Sequence, residues 1–93
     1  MNLYSIHDGS AQYFLPIFAA KTGDQAKRMF IGSLGDSFPY RADFTLHHVG
    51  HFDDDTGTLT ACDPPVVVLT GLSIPPSMDP RVTTGPEQQE AAE

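Results

Sequence analysis

The sequence predicts an α+β domain: a small, mainly antiparallel sheet in the order β-β-α-β-β, with a possible fifth strand, and one helix packed across one face. Two observations carry that prediction. Several short stretches alternate apolar and polar residues with period two and are separated by turn-forming clusters. One stretch alone has helical spacing, framed by a cap and a glycine stop.

The elements follow in order. "NLYSIHD" puts Leu3, Ser5 and His7 on one face and Tyr4 and Ile6 on the other, then ends in the turn cluster Asp8-Gly9-Ser10. "QYFLPIFAA" is rich in β-formers, but Pro16 removes a ladder donor, which predicts an edge or bulged strand. In "TGDQAKRMFIGSLG", Thr22 and Gln25 have capping-box spacing. Ala26, Met29, Phe30 and Leu34 form the expected buried face, and Gly35 suits a left-handed stop. "DFTLHHVGHF" is a third strand, with Phe44, Leu46, His48, Gly50 and Phe52 expected on one face and Thr45, His47, Val49 and His51 on the other. "GTLTAC" is a fourth strand. "PPVVVLTGL" is a short fifth strand or edge segment, expected to be broken from the fourth by Pro64 and Pro65.

The folded unit is expected to span residues 1–72. From Ser73 the chain holds four of the eight prolines, three glutamates and no aromatic residue. Such a segment buries too little apolar area to offset its ordering entropy, so residues 73–93 are expected to form a disordered acidic tail. The 93-residue chain has a formal charge of −7. Residues 1–72 contribute −4 (eight Asp against four Lys/Arg) and the tail −3 (one Asp and three Glu against Arg81). This balance opposes non-specific binding along a phosphate backbone, which draws its affinity from Lys and Arg. Cys62 is the single cysteine, which excludes an internal disulfide framework and a cysteine-based zinc site. No signal peptide and no apolar run near twenty residues is present, so no membrane association is expected.

Three stretches invite a functional reading. Asp55-Thr56-Gly57 matches the tripeptide of dimeric aspartic proteases. Such a centre needs two carboxylates sharing a proton in a dry cleft, whereas Asp53 and Asp54 immediately precede the tripeptide here. Asp53, Asp55 and Gly57 read instead as a hairpin turn, and no catalytic residue is assigned. His47, His48, His51 and Asp53 suggest a metal. In a strand, however, His47 and His51 lie about 13 Å apart and His48 points to the opposite face, so neither a metal nor a cofactor is expected. Lys21, Lys27 and Arg28 cluster at the helix start. With Arg41 they form the candidate nucleic-acid-binding set, alongside aromatic residues able to stack on bases.

Four segments carry a family resemblance: "MNLYSIHD", "YFLPIF", "AKRMF" and above all "DFTLHHVGHFDDDTG". The last contains an Asp-aromatic-x-Leu start and a Gly-x-Phe-Asp-Asp-x-Thr-Gly block at Gly50–Gly57, and "PPVVVLTG" follows as a proline-led apolar segment. Over about residues 1–71 the chain resembles the small non-structural proteins of gokushovirus-like microviruses, tailless phages with circular single-stranded DNA genomes. The acidic tail and the histidines of the third strand depart from that pattern. The resemblance implies a non-catalytic protein of the infected host's cytoplasm. It would act in viral genome replication or in the switch to single-strand synthesis and packaging. Expected partners are single-stranded DNA or a viral or host replication protein. The alternative is a protein–protein adaptor without nucleic-acid contact, with a possible homodimer through an edge strand.

Overall fold

The computed structural model describes residues 1–81. One sheet contains β1 (Asn2–Asp8), β2 (Tyr13–Phe14), β3 (Phe18–Ala20), β4 (Phe44–Phe52) and β5 (Leu59–Thr70). β1 pairs on one side with β2 and β3 and on the other with β4, and β5 completes the sheet beyond β4; every pairing is antiparallel. Helix α1 (Gly23–Leu34) lies on one face and runs into a 3₁₀ segment, Gly35–Asp43, before β4. The α+β class is therefore observed, with two differences in strand count.

Pro16 splits the second predicted strand. β2 and β3 flank it, and Leu15 keeps the chain attached by donating its N–H to the Ile6 carbonyl at 2.8 Å. The second difference runs the other way, because the predicted fourth and fifth strands are one, β5. His48 pairs with Val66 and Gly50 with Ala61, so residues 62–65 stand opposite Val49 alone. Pro64 and Pro65 occupy this bulge, where no ladder donor is required, and the strand continues past them.

α1 begins as its capping residues dictate. Thr22 Oγ1 accepts from the Gln25 N–H at 3.1 Å, and Gln25 Oε1 accepts from the N–H of Lys21 at 2.7 Å, one residue earlier than a capping box requires. Gly35 ends the helix at φ +48°. Ala26, Phe30 and Leu34 are buried, but Met29, expected among them, is 42% exposed. The buried stripe is the single i, i+4, i+8 row, turned toward the sheet, Phe38 and Ile74. With Tyr4, Ile6 and Leu46 from the sheet, these residues make the core.

The folded unit does not stop at residue 72. Ile74 is 3% exposed and belongs to the core. Arg41 holds it there by donating from Nε to the Ile74 carbonyl at 2.8 Å and from Nη1 to the Phe38 carbonyl, with its guanidinium 4.5 Å above the Phe38 ring. Farther on, Asp79 is 7% exposed and takes the fork of Arg81 at 2.7 Å. Residues 73–81 thus depart from the tail expected to begin at Ser73. One apolar anchor and two side-chain forks outweigh the proline-rich composition of residues 73–81. The predicted disorder of residues 82–93 lies outside the described residues.

Two substitutions test this packing. Phe30→Ala removes a fully buried ring and is expected to cost about 3–5 kcal/mol in denaturant unfolding. A Cβ at Gly71 would collide with the carbonyl oxygen of Arg41, so Gly71→Ala is expected to destabilise by more than about 2 kcal/mol. Melting like the parent would show that Gly71 does not clamp β5 to the 3₁₀ segment.

Candidate nucleic-acid interface

Five cations face the carboxylates of this chain, and the fold commits two of them. Arg81 is bound to Asp79, the one salt bridge among the described residues. Arg41 is half-buried and spends its guanidinium on two backbone carbonyls and a ring, so it does not join the predicted cluster as a free cation. Lys21, Lys27 and Arg28 remain, all at the start of α1, and their side chains make no hydrogen bond or ion pair within the described residues. Lys27 and Arg28 border a shallow groove of about 290 Å³ floored by Ile31, Leu69, Ile74 and Met78, with Asp24 on its rim. A second groove of similar size continues from it and shares Arg28, Ile31 and Met78. The two combine cationic heads with an uncharged floor, an arrangement suited to a phosphate chain with apolar groups beside it.

The aromatic residues divide. Tyr4 and Phe38 are core residues, whereas Tyr13, Phe14 and Tyr40 are exposed by half or more of their surface or nearly so. None of these lines either groove beside α1.

The histidines depart from the strict alternation expected of β4. Tyr4 pairs with His48 and Leu3 with Gly50, which leaves Val49 as an extra residue. Alternation therefore inverts at Val49, so His47 and His51 do not share a face, nor do His48 and Gly50. His47 meets His7, with ring centroids 6.2 Å apart, and Phe14 lies against both at 4.7 and 5.2 Å. His48 sits over Tyr4 at 5.2 Å, and its Nδ1 is 3.6 Å from the Cys62 sulfur, while its Nε2 is buried with no partner. His51 Nδ1 contacts Asn2 Oδ1 at 3.3 Å. The Cys62–His48 contact had no local signal in the sequence, because it exists only where the bulge folds Cys62 back toward β4.

Asp53–Thr58 is the hairpin turn joining β4 to β5. The Asp53 carboxylate accepts from the N–H of Asp55 at 2.9 Å and of Thr56 at 3.4 Å, the Asp53 carbonyl accepts from the Gly57 N–H, and Gly57 sits at φ +76°. These backbone donors hold the Asp53 carboxyl below the ordinary aspartate range. Asp8 is held down in the same way, first by the hydroxyl of Ser10 and then by the N–H groups of Ala11 and Ser10. Oxygens of Asp53, Asp54 and Asp55 lie within 4.8 Å of one another, but Asp54 and Asp55 are exposed and Asp53 is engaged by the turn.

A depressed carboxylate pKa stabilises the fold above the unfolded value, and that contribution is lost as pH falls through the folded one. Thermal melts should therefore fall off below about pH 4, the ordinary aspartate range. Asp53→Asn, whose amide oxygen can still accept, should flatten that fall while leaving the turn formed; an unchanged acid slope would refute the role of Asp53. Gly57→Val should cost about 1–2 kcal/mol, because a β-branched residue is strained at positive φ, whereas Asp55→Asn should melt like the parent.

Comparison with curated proteins and with solved structures returned no match for this chain. A protein-family model does match, described as "Phage ORF5 protein", and it covers residues 1–74. The match takes in the whole sheet, α1 and the hairpin turn, and it ends on Ile74, the core residue that Arg41 holds. With that extent matched, the chain belongs to the phage ORF5 protein family.

Proposed function

We propose that this phage protein is a non-catalytic factor of gokushovirus-like microviruses. It acts in the host bacterial cytoplasm, in viral genome replication or in the switch to single-strand synthesis and packaging, by engaging single-stranded DNA. One observation carries the reading: a chain of net charge −7 leaves Lys21, Lys27 and Arg28 unspent and sets two of them on the rim of an apolar groove. Cations that neither cap the helix nor pair with the abundant carboxylates are available to phosphates. The surrounding negative charge keeps such binding local and sensitive to salt. The non-catalytic part of the reading draws on the Asp55-Thr56-Gly57 stretch, where turn geometry accounts for each residue.

A protein–protein adaptor is the second reading, favoured by β5. It is twelve residues long and pairs only with β4 among the described strands, which leaves its outer edge open to strand addition.

Labelled single-stranded oligonucleotide, titrated against the full chain, separates the two. With two or three phosphates neutralised, affinity should weaken about seven- to twenty-fold between 50 and 200 mM salt. Replacing Lys27 and Arg28 together by Ala should remove about two counterions' worth of that slope. No binding at low salt would overturn the DNA reading. Partners that survive nuclease treatment in a pull-down from infected cells would favour the adaptor.

A further inference from the structure

The sheet has two unlike faces. α1 covers the Tyr4–Ile6–Leu46 face, and no described element covers the other. The molecule accordingly measures only 17 Å along its shortest axis, against 45 and 32 Å along the others. Cross-strand partners share a face, so the register identifies the open side. It carries Leu3, Ser5 and His7 of β1 with their partners on β2, β4 and β5, and every paired position there is apolar, Ser, Thr or His. No Asp, Glu, Lys or Arg occupies a paired position on it; among the described residues the nearest charge in β5 is Asp63, in the unpaired bulge. Large apolar groups are exposed on it: Phe14 at 46%, Val67 at 55% and Leu59 at 69%. A face of that kind does not solvate well, and patches of this character mark contact sites.

From this we infer that the open face binds a second copy of the same chain, forming a face-to-face sheet sandwich. Charge selects the occupant. A nucleic acid would find no cation on this face. Two copies of an acidic chain repel through most of their surfaces, and a face uncharged at every paired position is where that repulsion is least. Area is sufficient: four strand widths by nine residues of β4 give about 19 × 30 Å, or roughly 1,100 Å² over both copies, above the approximate 1,000 Å² of a specific interface.

The relief of the face is also self-complementary. At one end Phe14 stands with His7 and His47 as a cluster of rings. At the other lies a hollow of about 220 Å³, walled by Leu3, Ile17, Leu59 and Ala61 and open at Gly50, which has no side chain to fill it. A two-fold axis in the plane of the sheet and across the strands brings the rings of each copy over the hollow of the other. The interface is then isologous, with both contacts made twice. This arrangement leaves α1 and its three cations on the outside of both copies. It therefore stands apart from the single-stranded DNA reading, and its test contains no nucleic acid.

Sedimentation equilibrium of the full chain should show a monomer–dimer equilibrium. Phe14→Lys and Leu59→Glu should each raise the dissociation constant at least about tenfold, as loss of a central interface anchor does. Both positions are exposed in the single chain, and circular dichroism checks that each variant folds. Met29→Lys, exposed but on α1, should dimerise like the parent. A monomeric parent at about 100 μM, weaker than any specific interface of this size, would overturn the inference. So would Phe14→Lys and Leu59→Glu variants that fold and dimerise like the parent.

Discussion

β4 has to pair with two neighbours whose demands do not match, and Val49 reconciles them. Toward β1 it supplies one residue too many at that point, and toward β5 several too few. Absorbing both mismatches at one position keeps β4 straight enough to carry ladders on both sides. The faces of the sheet are set there too. Before Val49, His48 stands with Tyr4 on the helix side; after it, Gly50 joins Leu3 on the open side. A side chain at Gly50 would come within 2.6 Å of the Thr60 carbonyl, so the close approach of β5 depends on that glycine. The proline pair, the separation of the histidines and the hollow on the open face all follow from this crossing.

The charge economy of the domain has a similar logic. Among the described residues most carboxylates are exposed and solvated, and two that are not left to water, Asp8 and Asp53, accept from backbone N–H groups of their own turns. Of the arginines later in the chain, Arg41 clips the 3₁₀ segment to the Ile74 backbone, thirty-three residues on, and Arg81 holds its near neighbour Asp79. What remains is an imbalance with direction: cations on the helix side and, on the other, a sheet face uncharged at its paired positions. Two surfaces of such different character can serve different partners without interfering.

Period-two alternation made β1, β4 and the helix-side core legible, because one buried face imposes it directly. The cap at Thr22 and the stop at Gly35 were legible for a local reason: both depend on residues within one turn. What stayed hidden depends on partners distant in sequence. Pro64 and Pro65 look like strand breakers until β4 is seen to leave them unpaired. Ile74 lies in a polar, proline-rich context, and its burial depends on Arg41, thirty-three residues earlier. The three cations at α1 were readable as a group, but that Arg41 is committed elsewhere required the fold. His47 and His51 were assigned one face because a bulge of one residue leaves no mark on composition.

The prolines of β5 also bear on what this protein can become at high concentration. A twelve-residue outer strand with a free edge is a template on which further chains can add without limit, the route to fibres. Pro64 and Pro65 lack amide hydrogens, so that edge cannot present an unbroken row of donors. Each remaining segment is short, and the bulge between them shifts the register that stacking requires. A chain adding along this outer strand thus meets two short ladders in place of one long one.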